Sequence, residues 1–436
     1  MNMKFPWQEE WEQTKRQTLQ QLTTPFPNPT EILTRTTLEQ LPNIDRRTTF
    51  SFESVELARS AFAGETNQDI YLRLGNPTVR QLENMITLLE ARHFCGDLAT
   101  PNLLHLLAEA PVRSLAFSCG MAAISHTLTA LLGTGDTMIT DKVLYGCTDN
   151  LLNIDYKNLR GIRVVEVDVG DLAEVQRTLE QYPETKVIYF ETPTNPTLAV
   201  RNVKAIAEIA AKYHALVVID NTFATPCLQN PLRLGADIVI HSLTKYINGH
   251  GDVLGGSVTG PAGFMARNES GGLAYIRRLY GGVMDPGQAV SILRGIVSLP
   301  LRMEKHCDNA EKVIELLTKH PSIKNVFYPG LGSAREIASG QMRRFGGMVA
   351  FELHGDLSVT AKALNQVVHQ EVGYIAVSLG LPYTVFEHPA GMTHFFVPEK
   401  ERQRKGISDT LVRMSVGLED SKEIIKTLKN ILNFTV

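Results

Sequence analysis

Four things are scarce or missing in this chain of 436 residues, and each absence removes a class of protein. Its five cysteines, Cys95, Cys119, Cys147, Cys227 and Cys307, are odd in number, far apart and never spaced C-x-x-C. That pattern argues against a disulfide framework and against a structural zinc site. No apolar run approaches the length of a membrane span, and the opening MNMKFPWQEEWEQTKRQ has no apolar core of the kind a secretory leader carries. Charge of one sign is not in excess either: 43 Lys plus Arg stand against 46 Asp plus Glu, a net of −3, so no basic surface for nucleic acid or anionic membrane is implied. The phosphate motifs G-x-x-x-x-G-K-[ST] and strict G-x-G-x-x-G are missing, which leaves nucleoside triphosphates and dinucleotides without their usual cradle. The expectation is a cytoplasmic protein with a small-molecule ligand.

What is present fits an ordinary globular chain, 43% hydrophobic and 20% charged, with room for two or three domains. Residues 1–47 are polar, with a weak helical pattern near Trp7 and Trp11, and read as an arm rather than a core. From Ser114 the text alternates strand and helix: Ser114–Phe117, the helix Ala122–Leu132, then short buried strands at Thr137–Thr140, Arg163–Val167 and Val187–Phe190. Val203, Ile206, Ile209, Ala210 and Tyr213 recur at helical spacing and lead into the β-branched run Leu216–Ile219, one βαβ crossover. After the turn Pro231–Gly235 comes another strand, Asp237–Ile240. This is an α/β pattern with a mainly parallel sheet, whose active residues belong beyond the carboxyl ends of the strands. A long amphipathic segment over Gln288–Arg302 leaves the sheet, and Ser322–Phe327, Met348–Leu353 and Arg413–Val416 supply a smaller C-terminal α+β domain.

Three features carry chemistry. Ser118-Cys119-Gly120-Met121 runs from a strand into a helix N-terminus, where free N–H groups and the positive dipole end suit an anion such as phosphate, although tight turns also carry glycine for steric reasons alone. Asp220, directly after Leu216–Ile219, is either a cap or turn residue or a partner for a cationic ligand nitrogen. His241-Ser242-Leu243-Thr244-Lys245-Tyr246 puts a lysine and two hydroxyls at the same sheet edge, and a lysine in such a pocket can lose its proton and form a Schiff base with a carbonyl. A phosphate cradle, an acid for a ring nitrogen and an imine-forming lysine are together what pyridoxal phosphate requires.

The sequence also resembles a known family. YLRLGNPT at 71–78, SCGMAA at 118–123, LYGCT at 144–148, ETPTNPT at 191–197, IDNTFATP at 219–226, HSLTKYINGHGD at 241–252, EHPAGMTH at 387–394 and LVRMSVGLED at 411–420 are similar to the Cys/Met-metabolism pyridoxal-phosphate enzymes of fold type I. That family includes methionine γ-lyase, cystathionine β- and γ-lyases, cystathionine γ-synthase and O-acetylhomoserine sulfhydrylase. The resemblance implies three regions: an N-terminal arm over 1–75 that contributes to a neighbouring subunit's active site, a large domain over 76–298 that binds pyridoxal 5'-phosphate, and a C-terminal α+β domain over 299–436. It further implies that Lys245 holds the cofactor as a Schiff base, that Asp220 pairs with its ring nitrogen, and that Gly120, Met121, Ser242 and Thr244 hold its phosphate. Tyr145 would stack on the ring and act as acid or base, and Asn195 would contact the ring's 3′ oxygen. Arg413, with Ser378 and Asn195, would clamp the substrate carboxylate, where the residue pattern alone would suggest a surface ion pair. Tyr71 and Arg73 would reach the phosphate in the neighbouring subunit, so a homo-oligomer is implied: a dimer at least, with a homotetramer the expected form.

Two positions lean towards γ-elimination. Cys147 beside Tyr145 resembles methionine γ-lyases, and Val377 before Ser378 is apolar where cystathionine γ-lyases resemble one another in having glutamate; the weaker alternative for both is simple packing, since small apolar residues and free cysteines are common in cores. Other positions depart from that pattern: Arg277-Arg278-Leu279-Tyr280 in place of a Lys-Asp pair, Leu381-Pro382-Tyr383 in place of Gly-x-Glu, and a longer stretch over 91–113. The expected activity is therefore γ-elimination on a γ-substituted L-amino acid, with a pocket adapted to a non-standard substituent. The alternatives are a γ-replacement synthase, a β-eliminating C–S lyase and, from another class, a non-catalytic cofactor carrier.

Overall fold

The computed structural model describes residues 4–21, 43–66, 68–91, 107, 110–266, 272–395 and 397–434. Most of the longer stretch over 91–113, including Cys95, lies outside the described residues.

Seven strands form the large sheet: β1 (Val112–Phe117), β2 (Thr137–Asp141), β3 (Arg163–Val167), β4 (Thr185–Glu191), β5 (Leu216–Asp220), β6 (Ile238–Ser242) and β7 (Gly256–Pro261), in the order β1-β7-β6-β5-β4-β2-β3. β2, β3, β4, β5 and β6 pair in parallel, whereas β7 is antiparallel to both β1 and β6. The central strands are apolar along their length because helices cover both faces of the sheet. β7 escapes a sequence reading because Gly256, Gly260 and Pro261 make half of its six residues poor strand formers.

A second sheet of five strands, β8 (Ile323–Phe327), β9 (Met348–Leu353), β10 (Tyr374–Ile375), β11 (Val385–Glu387) and β12 (Leu411–Ser415), has the order β10-β11-β12-β9-β8. The last helix, Ser421–Asn433, is part of its core through Ile424, Leu428, Ile431 and Leu432, one stripe at helical spacing. The segment read as one amphipathic run over Gln288–Arg302 is two helices, Pro286–Val297 and Leu299–Leu317, parted at Ser298. Pro300 has no N–H to give the carbonyl four residues back, so a single helix cannot pass through it.

The N-terminal region departs from the expected arm. Residues Gln8–Gln21 form a helix on which Trp11 is 2% exposed, its indole Nε1 donating to Asp237 Oδ1 at 2.7 Å. Trp7 meets Phe264 with ring centroids 5.2 Å apart. Two large aromatic rings make this helix part of the large domain's core. By contrast, the helix Val55–Phe62 leaves Val55, Leu57 and Phe62 exposed. Among the described residues no helix is long and apolar enough to cross a membrane.

Candidate active site

The carboxyl ends of β1, β4, β5 and β6 open onto one cavity of about 250 Å3, closed on its far side by the second sheet. Where β1 ends, Cys119 caps the helix Gly120–Leu131, its Sγ accepting from Ala122 N at 3.4 Å. The i→i−4 ladder begins with Ala123 N donating to Cys119 O, so the amides of Gly120 and Met121 precede it, and both residues line the cavity. A Cβ on Gly120 would lie 2.9 Å from Ser242 Cβ; glycine alone lets the helix start rest against the end of β6. Ser242 and Thr244 add hydroxyls to the lining, with the Thr244 hydroxyl also bridging the Gly255 amide and carbonyl. A helix N-terminus ringed by hydroxyls suits a phosphate.

Two acids stand at adjacent strand ends. Glu191 and Asp220 are register partners across β4 and β5, and burial pushes both above the usual carboxylate range, Glu191 further still because Asp220 faces it. Asp220 accepts from Thr222 N at 2.9 Å and lines the cavity. A cationic ring nitrogen there would relieve both groups. Glu191 accepts from Tyr145 N at 2.7 Å and Asn195 N at 3.2 Å, and so fixes two lining residues through their backbone.

Lys245 donates to Ser378 Oγ at 2.7 Å. Burial first, then the charge of Arg413, brings the Lys245 amine down from 10.5 to about 8, with Glu387 opposing. A fraction is therefore a free nucleophile near neutral pH. Ser378 holds the left-handed conformation, φ 85°, which a non-glycine residue adopts only when its surroundings impose it. Its carbonyl accepts from Arg413 Nη2 at 3.1 Å, while Nη1 donates to Asn195 Oδ1 at 2.8 Å. Arg413 is 2% exposed and ion-paired with Glu387, its cross-strand partner from β11 to β12. The surface ion pair suggested by the residue pattern is thus a buried one at the cavity wall. Tyr145 begins the helix Gly146–Asn150. Its hydroxyl is pushed well above its ordinary pKa by burial and by the thiol of Cys147, 3.5 Å away. Cys147 itself is exposed.

The family model for Cys/Met metabolism PLP-dependent enzymes matches residues 31–433. The chain belongs to this family. Its cofactor is pyridoxal 5'-phosphate, and it is an enzyme of cysteine and methionine metabolism. It is 43% identical over 389 residues to the L-methionine gamma-lyase of Fusobacterium nucleatum subsp. polymorphum, covering 88% of this chain and 91% of the relative. Among solved structures it is similar to the cystathionine gamma-lyase from Lactobacillus plantarum complexed with L-serine (TM-score 0.79, 33% identity, 94% of this chain and 99% of that one). It is also similar to the cystathionine gamma synthase from Xanthomonas oryzae pv. oryzae in complex with aminoacrylate and cysteine (TM-score 0.80, 31% identity, 94% and 99%).

Of the residues the family resemblance singled out, Lys245, Tyr145, Asp220, Gly120, Met121, Asn195, Ser242, Thr244, Ser378 and Arg413 line this one cavity. Tyr71 and Arg73 do not: Tyr71 is 41% exposed with Arg73 over its ring, and Arg73 Nη1 donates to Arg278 O at 2.8 Å. Arg277 ties Glu83 Oε1 at 2.6 Å to Ala116 O at 2.8 Å, a brace between β1 and the helix Pro77–Ala91. Sequence reasoning passed over Glu191 and Glu387. Each is the first letter of a family motif and an acid directly after an apolar run, Val187–Phe190 for Glu191 and Val385–Phe386 for Glu387, which is the signal that could have found them.

Proposed function

We propose that the enzyme eliminates a γ-substituent from an L-amino acid, giving a 2-oxo acid, ammonia and the departed group. The observation that carries this reading is a free-amine-prone lysine and a high-pKa phenol on the same cavity as a buried arginine. Gly120, Met121, Ser242 and Thr244 would hold the cofactor's phosphate, Asp220 its ring nitrogen, Asn195 its ring oxygen and Lys245 its aldehyde carbon. When bound, pyridoxal 5'-phosphate supplies an electron sink for the pair left behind as a C–H bond next to the amine is broken.

The chain's own groups do the rest. Arg413 receives the substrate carboxylate in a fork already aimed by Asn195 and Ser378. The Lys245 amine, uncharged above about 8, takes the α-proton, gives it up again and then takes a proton from Cβ, and the electron pair left at Cβ expels the γ-substituent. Tyr145 stays protonated through the physiological range because burial disfavours its anion, so it donates its proton to the leaving γ-atom, with the Cys147 thiol as its neighbour. Tyr71 and Arg73 serve the phosphate site of a second copy. The working unit is then a dimer at least, two such dimers make a homotetramer, and the location is the cytoplasm.

A γ-replacement synthase is the second reading, favoured by the likeness to a cystathionine gamma synthase; a β-eliminating C–S lyase uses the same groups one carbon nearer. The test is an absorbance spectrum of the purified holoenzyme before and after each candidate amino acid, with 2-oxo acid and ammonia measured in the same samples. Ammonia from a γ-substituted amino acid alone is the expected result. A spectral change that yields ammonia poorly until a thiol is added, and then a new amino acid, overturns elimination in favour of replacement.

A further inference from the structure

The Tyr145 hydroxyl has to meet the leaving γ-atom, yet the turn that carries Tyr145 has little structure of its own. The helix Gly146–Asn150 is five residues long, and the chain continues from it as a π-helix over Leu151–Leu159, a wide and uncommon winding. A single α-turn does not hold itself in place. Asp149 and Asn150 also border a hollow of about 470 Å3, which shares no lining residue with the reaction cavity, so packing does not fix the turn from that side.

An ion pair does. Lys405 Nζ donates to Asp149 Oδ1 at 2.6 Å, the side chains 5% and 12% exposed. Asp149 stands one turn beyond Tyr145 and closes the first helical bond, its amide donating to Tyr145 O at 3.0 Å. Asn153 donates to the same Oδ1 at 3.1 Å and to Glu166 Oε1 at 2.7 Å, so the carboxylate is aimed from the β3 side as well.

Lys405 is fixed at its root. It follows the helix Glu399–Arg404, its amide donates to Glu401 O at 3.0 Å, and Ile407 just beyond it is buried in the core. Arg402 ties that helix to Val397 O and to Asp409 Oδ1, both at 2.9 Å, shortly before β12 begins at Leu411. The pair therefore runs from the chain segment leading into Arg413 to the turn that carries Tyr145. A buried ion pair is close to neutral for stability; what this one adds is a fixed distance between two anchored frames.

We infer that Asp149 and Lys405 are positioning residues for the elimination: their pair sets Tyr145 where its hydroxyl proton can reach the departing sulfur. The inference rests on the elimination reading above. Neither residue lines the reaction cavity, so both act through Tyr145. In the step they serve, the Cγ–S bond breaks with its electron pair on sulfur, and the Tyr145 O–H proton moves to that sulfur; the phenolate left behind regains a proton from solvent before the next turnover. A γ-substituent that leaves as a stable anion, such as acetate, asks for no proton from Tyr145.

The test compares L-methionine with O-acetyl-L-homoserine on the full-length holoenzyme, reading 2-oxobutanoate from each. Lys405→Met alone leaves a buried carboxylate unpaired, so the double variant Asp149→Ala/Lys405→Ala is measured beside it. In both, kcat for methionine should fall about tenfold relative to kcat for O-acetyl-L-homoserine, with each KM within about twofold of the parent, because a displaced general acid costs rate rather than binding. Lys405→Arg keeps the charge, and the hollow beside it has room for the longer group, so it should hold the parent ratio. A loss shared equally by the two compounds, a loss confined to KM, or an unchanged ratio in the double variant makes the pair a structural tie alone and overturns the inference. If the parent turns over neither compound, the elimination reading fails by itself. In that case, and wherever only one compound reacts, hydrogen exchange at the amides of residues 145–150 decides: exchange should be faster in the double variant, and exchange no faster than in the parent refutes the pair's hold on the turn.

Discussion

Arg413 owes its orientation to Glu387, and the two are buried together at the cavity wall. Removing one member of a buried pair strands the other charge, so Glu387→Ala should cost about 3–5 kcal/mol of stability, measured by urea unfolding, and should raise KM for every amino acid. An unchanged KM would mean that Arg413 does not need its partner to receive a carboxylate. Lys245 makes a second prediction. Its folded pKa is about 8, and only the free amine attacks an aldehyde. Uptake of pyridoxal 5'-phosphate by the apoenzyme should therefore rise with pH through about 8 and level off above it. A midpoint near the ordinary lysine value of 10.5 would refute the role given to burial and Arg413. Lys245→Ala should lose the visible absorbance of lysine-bound cofactor. Gly120→Ala forces a methyl group against Ser242, and dialysis should strip it of cofactor faster than the parent.

The strands whose side chains are buried on both faces could be read directly: β2, β4, β5 and β6 are short buried runs around an apolar centre, and the site stands where β4, β5 and β6 end. Short or glycine-rich strands could not, and β7, β10 and β11 carry too few characteristic residues to announce themselves. The cofactor residues were legible as a conjunction of three features, and substrate-facing Arg413 only through the family motif, because an arginine inside an apolar strand looks like an ordinary ion pair. Glu191 and Glu387 act by holding other residues. Their partners Asp220 and Arg413 come beside them through strand register, which no linear spacing encodes. Two histidines fasten the same elements. His306, on the helix Leu299–Leu317, bonds Val416 O at 2.6 Å just past β12, and His394 reaches Leu144 O at 3.4 Å just before Tyr145. Burial lowers both from 6.5 to about 4, so the native state keeps them neutral while the unfolded chain takes up protons below about 6.5. Stability from each is present above 6.5 and lost as pH falls toward 4, about 3 kcal/mol per histidine. Thermal unfolding between those pH values should show the decline, and a flat melting temperature would contradict it.

The two sheets share one site, Lys245 following β6 of the large sheet and Arg413 standing on β12 of the small one. If Tyr71 and Arg73 complete a second copy's phosphate site, an Arg73→Ala chain and a Lys245→Ala chain, each inactive alone, should regain activity when unfolded together and refolded as a mixture; no recovery would exclude that sharing. The exposed face of the helix Val55–Phe62 is the surface such a partner would cover. The Arg413–Glu387 pair has one more consequence. A bare guanidinium in a cavity is a general trap for chloride, sulfate and every other ambient anion, but Arg413 already carries a resident counter-ion, and the pair is neutral as a unit. Simple salts gain little by entering, whereas a ligand that brings an amine to the lysine side together with its carboxylate gains at both ends. The pair thereby favours a ligand that brings both groups over the ions that outnumber it.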